Sequence, residues 1–222
     1  MGSTSIQFSE FRNKKILITG ASTGIGAELA KEFAKQGAIV GLHYFSSEDA
    51  AKTVASEIQG EGGRIELIKA DVSDSQAMAG AVREAAEVLG GLNGLINNAG
   101  GMVRRVPYAK VSDKDYDEIM DLNARSIVVA SREALPFLKE QGGFVINTTS
   151  IAARNGAGGG AGMYGSSKAF VSNVTRGMAK EWIEFGIRVN AVAPGVITTP
   201  FHERYSTTVS YTHLTLPTKS SG

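Results

Sequence analysis

A tyrosine and a lysine stand four residues apart in "MYGSSKAF", Tyr164 and Lys168, directly after the glycine-heavy run "NGAGGGAG". Residues at this spacing on a helix share a face, with Cβ atoms roughly 5–6 Å apart. A phenol titrates at about 10, so at neutral pH it is a poor base and a modest acid. An ammonium held on the same face favours the phenolate and lowers that value toward the range where proton transfer is effective. The pair predicts a proton donor and acceptor that needs no metal; by itself it also fits an ordinary amphipathic pair on a helix surface.

Short apolar runs, "KILIT", "AIVGLH", "RIELIKA", "LNGLINN", "GFVINTT" and "IRVNAVA", alternate with longer amphipathic stretches such as "GAELAKEFAKQG" and "DSQAMAGAVREAAEVLG". Runs of this length without polar alternation suit strands covered on both faces, and the stretches between them suit crossover helices, so the pattern predicts a parallel α/β sheet. "SSEDAAKTVASEI" and "VSDKDYDEIM" each offer a serine cap with acids in the first turn, and Gly37, Gly90 and Gly186 follow helices.

The chain has 222 residues, enough for about one domain. Its 23 Lys plus Arg against 22 Asp plus Glu give a formal charge of +1, which favours neither nucleic acid nor an anionic membrane surface. Without cysteine there is no disulfide frame, thiolate metal site or cysteine nucleophile. The first residues lack the apolar stretch of a signal peptide and no run reaches the ~20 apolar residues of a membrane span, so the expectation is a cytoplasmic protein.

"ILITGASTGIGAELA" sets Thr19, Gly20, Gly24 and Gly26 between a strand and a helix, where a tight turn and close backbone approach would aim a helix N-terminus at a pyrophosphate. The spacing is TGxxxGxG rather than GxGxxG. With "NNAG" at 97–100, "LN" at 122–123, "TS" at 149–150, "YGSSK" at 164–168 and "PGVITT" at 194–199, the sequence resembles the short-chain dehydrogenase/reductase family, nearest in style to bacterial ketoacyl-carrier-protein reductases and glucose dehydrogenases. The likeness runs in order over about residues 10 to 205.

That resemblance implies a Rossmann-like, doubly wound parallel sheet with helices on both faces. It assigns Tyr164 as the acid or base at the substrate oxygen and Lys168 to the phenol and the nicotinamide ribose. It assigns Ser150 to the substrate carbonyl and Asn123 to a water-linked proton path. It places the cofactor against Thr19, Gly20, Ser22, Thr23, Gly24, Ile25 and Gly26, then Tyr44 and Ser46, then Asp71 and Val72 beside the adenine. Asn98, Ala99 and Gly100 follow, with Tyr164, Lys168, Pro194, Gly195, Val196 and Thr199 at the nicotinamide; Asn97 is expected to steady the sheet. The implied activity is the interconversion of a ketone and a secondary alcohol, with a 3-oxoacyl thioester, a sugar or another small alcohol as substrate. No metal is implied.

The end of the second strand usually separates the two dinucleotides, an acid there binding the ribose hydroxyls and repelling a 2′-phosphate. Tyr44 takes that position, after His43 and before Ser46 and Ser47, while Thr23 stands where NADP users often carry an arginine. The serines, backbone N–H groups at a helix start and His43 offer phosphate contacts, so NADP is expected over NAD. Arg125 and Arg154 are candidates for an anionic substrate. The run between Ser150 and Tyr164 is expected to be a flexible loop that borders, and could gate, the pocket.

Family members usually continue past "PGVITTPF" into covering helices and a seventh strand. The Ser- and Thr-rich remainder resembles none of these, so residues 1–205 are expected to form a single dinucleotide-binding domain of six strands, with 206–222 an irregular and non-native tail. The resemblance also implies a homo-oligomer, through helices starting near Val111 and Gly162, and a dimer rather than a tetramer if the last strand is missing. Two other readings compete: a non-catalytic dinucleotide-binding protein, and an incomplete fragment without activity.

Overall fold

The six apolar runs become six strands, β1 (Lys15–Ile18), β2 (Ile39–Tyr44), β3 (Arg64–Lys69), β4 (Gly94–Asn97), β5 (Gly143–Thr148) and β6 (Ile187–Val192), in a computed structural model. It describes residues 9–195 and 197. All neighbouring strands pair in parallel, in the order β3-β2-β1-β4-β5-β6. The connecting helices are α1 (Gly24–Lys35), α2 (Glu48–Gly60), α3 (Ser75–Leu89), α4 (Asp113–Met120), α5 (Ser126–Gln141), the short α6 (Ala152–Asn155) and α7 (Gly162–Trp182). β6 is the last strand among the described residues; Val196, Thr199 and the expected tail at 206–222 lie outside them.

Alternate side chains of one strand feed two cores, as a doubly covered sheet requires. Ile16 and Ile18 pack with the alanine-rich face of α1 and with α2, whereas Leu17 between them joins α3, α5 and the end of α7. The result is the Rossmann-like doubly wound architecture expected. The chain winds outward from β1 to β3, then crosses back to β4, leaving a crevice beyond the carboxyl ends of β1 and β4 where open α/β sheets take their ligands.

Local signals account for most boundaries. Ser112 and Asp115 form a capping box at α4, and Gly37, Gly90 and Gly186 take positive φ after helices. The serine cap expected at α2 is present only in position: Ser47 is the cap residue, but its side chain accepts no backbone N–H. Between α4 and α5 the chain makes one π-helical turn, Asp121–Arg125, a feature with no composition signal that rotates Asn123 out of the helical register. Among the described residues no helix is long and apolar enough to cross a membrane.

Asn97 ties the sheet to both of its covering helices. Its Nδ2 donates to Ser131 Oγ at 3.0 Å on α5 and to Asn147 Oδ1 at 2.8 Å on β5. Asn147 Nδ2 in turn donates to Thr175 Oγ1 on α7 at 2.9 Å. All four residues are buried, so truncating Asn97 to alanine removes a donor from groups that water cannot reach, at about 1–3 kcal/mol. Asn97→Ala is therefore expected to lower the melting temperature by about 2–4 °C per kcal/mol lost while leaving cofactor affinity unchanged. Calorimetry paired with a nucleotide titration checks this; an unaltered melting temperature would contradict the structural role.

Candidate active site

A cavity of about 1050 Å³ opens at the crevice over β1 and β4. That is large enough for a dinucleotide and a small substrate together. One wall is the turn from β1 into α1. Thr19 Oγ1 accepts the N–H groups of Asn98 and Ala99, both at 3.0 Å, and Asn98 Nδ2 donates to the carbonyls of Thr19 and Gly20, also at 3.0 Å. A Cβ on Gly26 would sit 2.3 Å from Gly20 O and 2.6 Å from Asn98 Nδ2, so glycine is the residue that lets α1 start against this turn. Ser22, Thr23, Gly24 and Ile25 line the cavity, and the partnerless N–H groups of the first turn of α1 offer a site for a pyrophosphate. This cradle fits a nicotinamide dinucleotide.

His43 braces the same turn from β2. Its Nδ1 accepts the Gly20 N–H at 3.2 Å, and its carbonyl accepts the Ala21 N–H at 2.8 Å. The ring is buried, and burial pushes its pKa down to about 4, so it is neutral at physiological pH. His43 lines the cavity as well as supporting the glycine turn, and it does so as a neutral imidazole. Tyr44, Ser46, Asp71 and Val72 line this end of the cavity, and Ser47 does too.

At the other end, β5 and α7 supply the proposed chemistry. Tyr164 and Lys168 occupy successive turns of α7, as their spacing predicted, and Ser150 follows β5; all three line the cavity. The Ser150 hydroxyl accepts the Ala152 N–H at 3.1 Å and acts on the phenol, opposing the effect of burial on its pKa. Lys168 is enclosed, with Nζ donating to Thr148 O at 2.9 Å and lying 5.9 Å from the Tyr164 ring centroid. A Cβ on Gly100 would reach within 3.1 Å of that Nζ and 2.8 Å of Asn123 Oδ1, so the "NNAG" glycine makes room for both. Thr149 Oγ1 donates to Lys168 O at 2.7 Å and clamps α7 to the strand end. Ala99, Gly100, Pro194 and Gly195 complete the wall.

The electrostatics depart from the sequence-based expectation. Burial raises the Tyr164 pKa, the Ser150 hydrogen bond opposing it, and burial lowers that of Lys168 to about 8. Each group is desolvated before it helps the other. The phenol stays protonated at neutral pH, which suits a donor to a carbonyl oxygen, and the lysine by itself does not bring it into the neutral range.

Thr19, Gly26 and Asn123 do not line the cavity; they hold residues that do. Asn123 spends its amide on Gly101, accepting its N–H at 3.0 Å and donating to its carbonyl at 2.8 Å, and on Ile119 O at 2.9 Å. Arg125 and Arg154 also lie off the cavity, Arg125 being paired with Asp121 at 2.6 Å. Among the described residues the arginine that lines it is Arg105, which no motif singled out; Met102 lines it too.

The glycine run is pinned rather than loose. Val106 N–H donates to Gly160 O at 2.8 Å, and Arg105 Nη1 donates to Gly159 O at 3.1 Å. A Cβ on Gly162 would strike the Tyr108 ring at 2.4 Å. Gly160 and Gly162 admit close packing against the segment after β4, whereas Gly156 and Gly158 have open space beside them.

Residues 14–210 match the family model described as short chain dehydrogenase. The chain is 34% identical over 185 residues to the 3-oxoacyl-(acyl-carrier-protein) reductase FabG of Staphylococcus aureus, covering 83% of this chain and 74% of the relative. Among solved structures it is similar to NADH-dependent reductase A1-R′ complexed with NAD, at 37% identity and a TM-score of 0.83 over 86% of this chain and 82% of that one. It is also similar to a short chain dehydrogenase from Burkholderia cenocepacia J2315 in complex with NADP, at 37% identity and a TM-score of 0.82, covering 86% and 77%.

Because an enclosed ammonium costs free energy, Lys168→Met should melt above the parent chain at pH 7 even though activity is lost. The sign follows from linkage: between about 8 and the ordinary 10.5 the unfolded chain binds the proton more tightly than the folded one, so the parent gains stability as pH rises through this window. The difference between the two melting temperatures should therefore shrink above pH 8. A gap that widened there would show that burial does not depress the lysine.

Proposed function

The chain belongs to the short-chain dehydrogenase family and is an NAD(P)-dependent oxidoreductase interconverting a ketone and a secondary alcohol; from that premise we propose Tyr164, Ser150 and Lys168 as its reacting and orienting side chains. The observation that carries this assignment is the convergence of Ser150, Tyr164 and an enclosed lysine on one cavity with the glycine turn. When bound, the nicotinamide supplies or takes up the hydride. The residues of this chain manage the oxygen and its proton. A carbonyl oxygen between the two hydroxyls accepts a hydrogen bond from Ser150 and receives the Tyr164 proton as charge develops on it. In the reverse direction the phenolate takes the proton back. The Lys168 ammonium favours that phenolate, in a water-poor site where a charge acts more strongly than in bulk.

Asn123 serves as a positioning residue through Gly101, which lies at the substrate side of the cavity. Gly20, Ser22, Thr23, Gly24 and Ile25 would hold the pyrophosphate, Asp71 and Val72 the adenine, and Pro194 and Gly195 the nicotinamide. NADP is favoured over NAD because Tyr44, rather than an acid, ends β2, and because Ser46 and Ser47 reach the cavity at the start of α2. A 3-oxoacyl thioester remains the second substrate reading, supported by the FabG relative.

A cytoplasmic homo-oligomer completes the reading. It is supported by the half-exposed rings of Tyr116 on α4 and Phe170 on α7, on the helices the family resemblance assigns to the interface. A light-scattering mass equal to one chain would refute it.

The decisive assay follows reduced-nicotinamide absorbance with NADPH and NADH across neutral ketones, oxo acids, sugars and a 3-oxoacyl N-acetylcysteamine thioester. Tyr164→Phe is expected to reduce kcat by about 10²–10⁴-fold, the usual range for a proton-transfer group, with cofactor affinity retained. NADPH should give the higher kcat/KM. Full turnover without the phenol would reject Tyr164 as the acid.

A further inference from the structure

The residue after Ser150 is an isoleucine that lines the cavity and is left 44% exposed. Its place is set by the backbone. The Ile151 N–H donates to Pro194 O at 3.1 Å, and its carbonyl accepts the Arg154 N–H at 3.0 Å as the chain turns into α6. The side chain belongs to neither of the two cores. Being β-branched, it has little rotamer freedom with which to turn away. An apolar surface therefore stands in solvent beside the hydroxyl assigned to the substrate carbonyl.

The surfaces around it are of the same kind. Gly165, the residue after Tyr164, lets α6 pack on α7: a Cβ there would lie 3.0 Å from Ala152 O, and the Gly165 N–H donates to Ala161 O at 3.0 Å. A Cβ on Gly101 would lie 3.4 Å from Leu122 Cδ2, so this leucine stands beside the glycine that Asn123 holds. Ala152, Ala161 and Leu122 line the cavity with Ile151, as do Met102 and Ala157. Arg105 lies on this wall too, with Nη1 donating to Gly159 O. Among the described residues, the carboxylate and the side-chain amide that line the cavity are at its dinucleotide end. Asp71 follows β3, and Asn98 Nδ2 is spent on the Thr19 and Gly20 carbonyls.

We propose that this wall receives the apolar body of a neutral ketone, whose carbonyl lies at Ser150 and Tyr164, and that Ile151 is a specificity-determining residue for it. This rests on the redox reading above and names its substrate class. Covering the exposed face of Ile151 removes apolar surface from water, and a longer carbon chain covers more of the wall. A sugar would bring several hydroxyls to a wall that, among the described residues, has no carboxylate or side-chain amide to meet them. Hydroxyls buried without partners weaken binding.

The test follows oxidation of NADPH and NADH with the methyl ketones from butanone to octan-2-one, and with dihydroxyacetone and fructose as hydroxylated ketones. It uses the parent chain, Ile151→Ala and Ile151→Leu, with cofactor binding followed by fluorescence to show that each variant is folded. In the parent chain kcat/KM should rise by about fourfold per added methylene, chiefly through KM, and every methyl ketone beyond butanone should exceed the hydroxylated ones. Ile151→Ala should lower kcat/KM for octan-2-one by about three- to tenfold and for butanone by less, flattening the series, because the longer chain covers more of the lost side chain. Ile151→Leu should keep the slope of the parent chain. A series without slope, a slope unchanged in Ile151→Ala, or a preference for dihydroxyacetone or fructose overturns the proposal. In each of these cases a ketone reduced by the parent chain and not by Tyr164→Phe leaves the redox reading intact. Failure of every ketone removes both readings.

Discussion

Enclosing the Lys168 ammonium is the constraint around which the site is arranged. An ammonium out of water is costly, and the fold returns one carbonyl, that of Thr148, as a partner. Three further devices keep it there: Thr149 clamps the lysine's own carbonyl, Gly100 withholds a side chain from the space the ammonium occupies, and the π-turn at 121–125 brings Asn123 to the same glycine. The cost has a function. A charge near a phenol in bulk water would be screened, whereas in this enclosure it is screened less. The phenol pays the same desolvation, which is why burial leads its pKa upward and the neutral donor form prevails.

The cofactor side is built on a different principle, steric closeness among neutral groups. Gly20 and Gly26 let backbone approach backbone, and the turn they make is held by Asn98 from β4 and His43 from β2. These supports carry no charge at physiological pH, since burial keeps the His43 imidazole neutral. The positive potential that a pyrophosphate needs comes from the first turn of α1, and the supports leave it undisturbed.

Sheet and helices were legible because their signal is local: uninterrupted apolar runs for doubly covered strands, and caps such as Ser112 with Asp115. The Tyr164–Lys168 spacing was legible for the same reason, being a property of one helix. What escaped depends on contacts between distant segments. Nothing in "DLNAR" announces a π-turn, and "NGAGGGAG" reads as loose until the segment at 103–106 is laid against it. The support that His43 gives the glycine turn was not legible, because neither that contact nor its burial is a sequence property. Arg125 and Arg154 were candidates by residue type alone and lie off the cavity, while Arg105, which carries no motif signal, lines it.

These contacts divide the labour of the cavity. Proton transfer is assigned to the end of β5 and to α7, where Lys168 is tied to the strand by its own ammonium on Thr148 O and by Thr149 on its carbonyl. Two irregular segments, 101–106 and 156–161, hold each other through carbonyl contacts at another part of the cavity wall. The chain shares about a third of its residues with both a 3-oxoacyl reductase and the reductase A1-R′, and a shared fold does not by itself fix the substrate, which depends on the groups that each cavity presents.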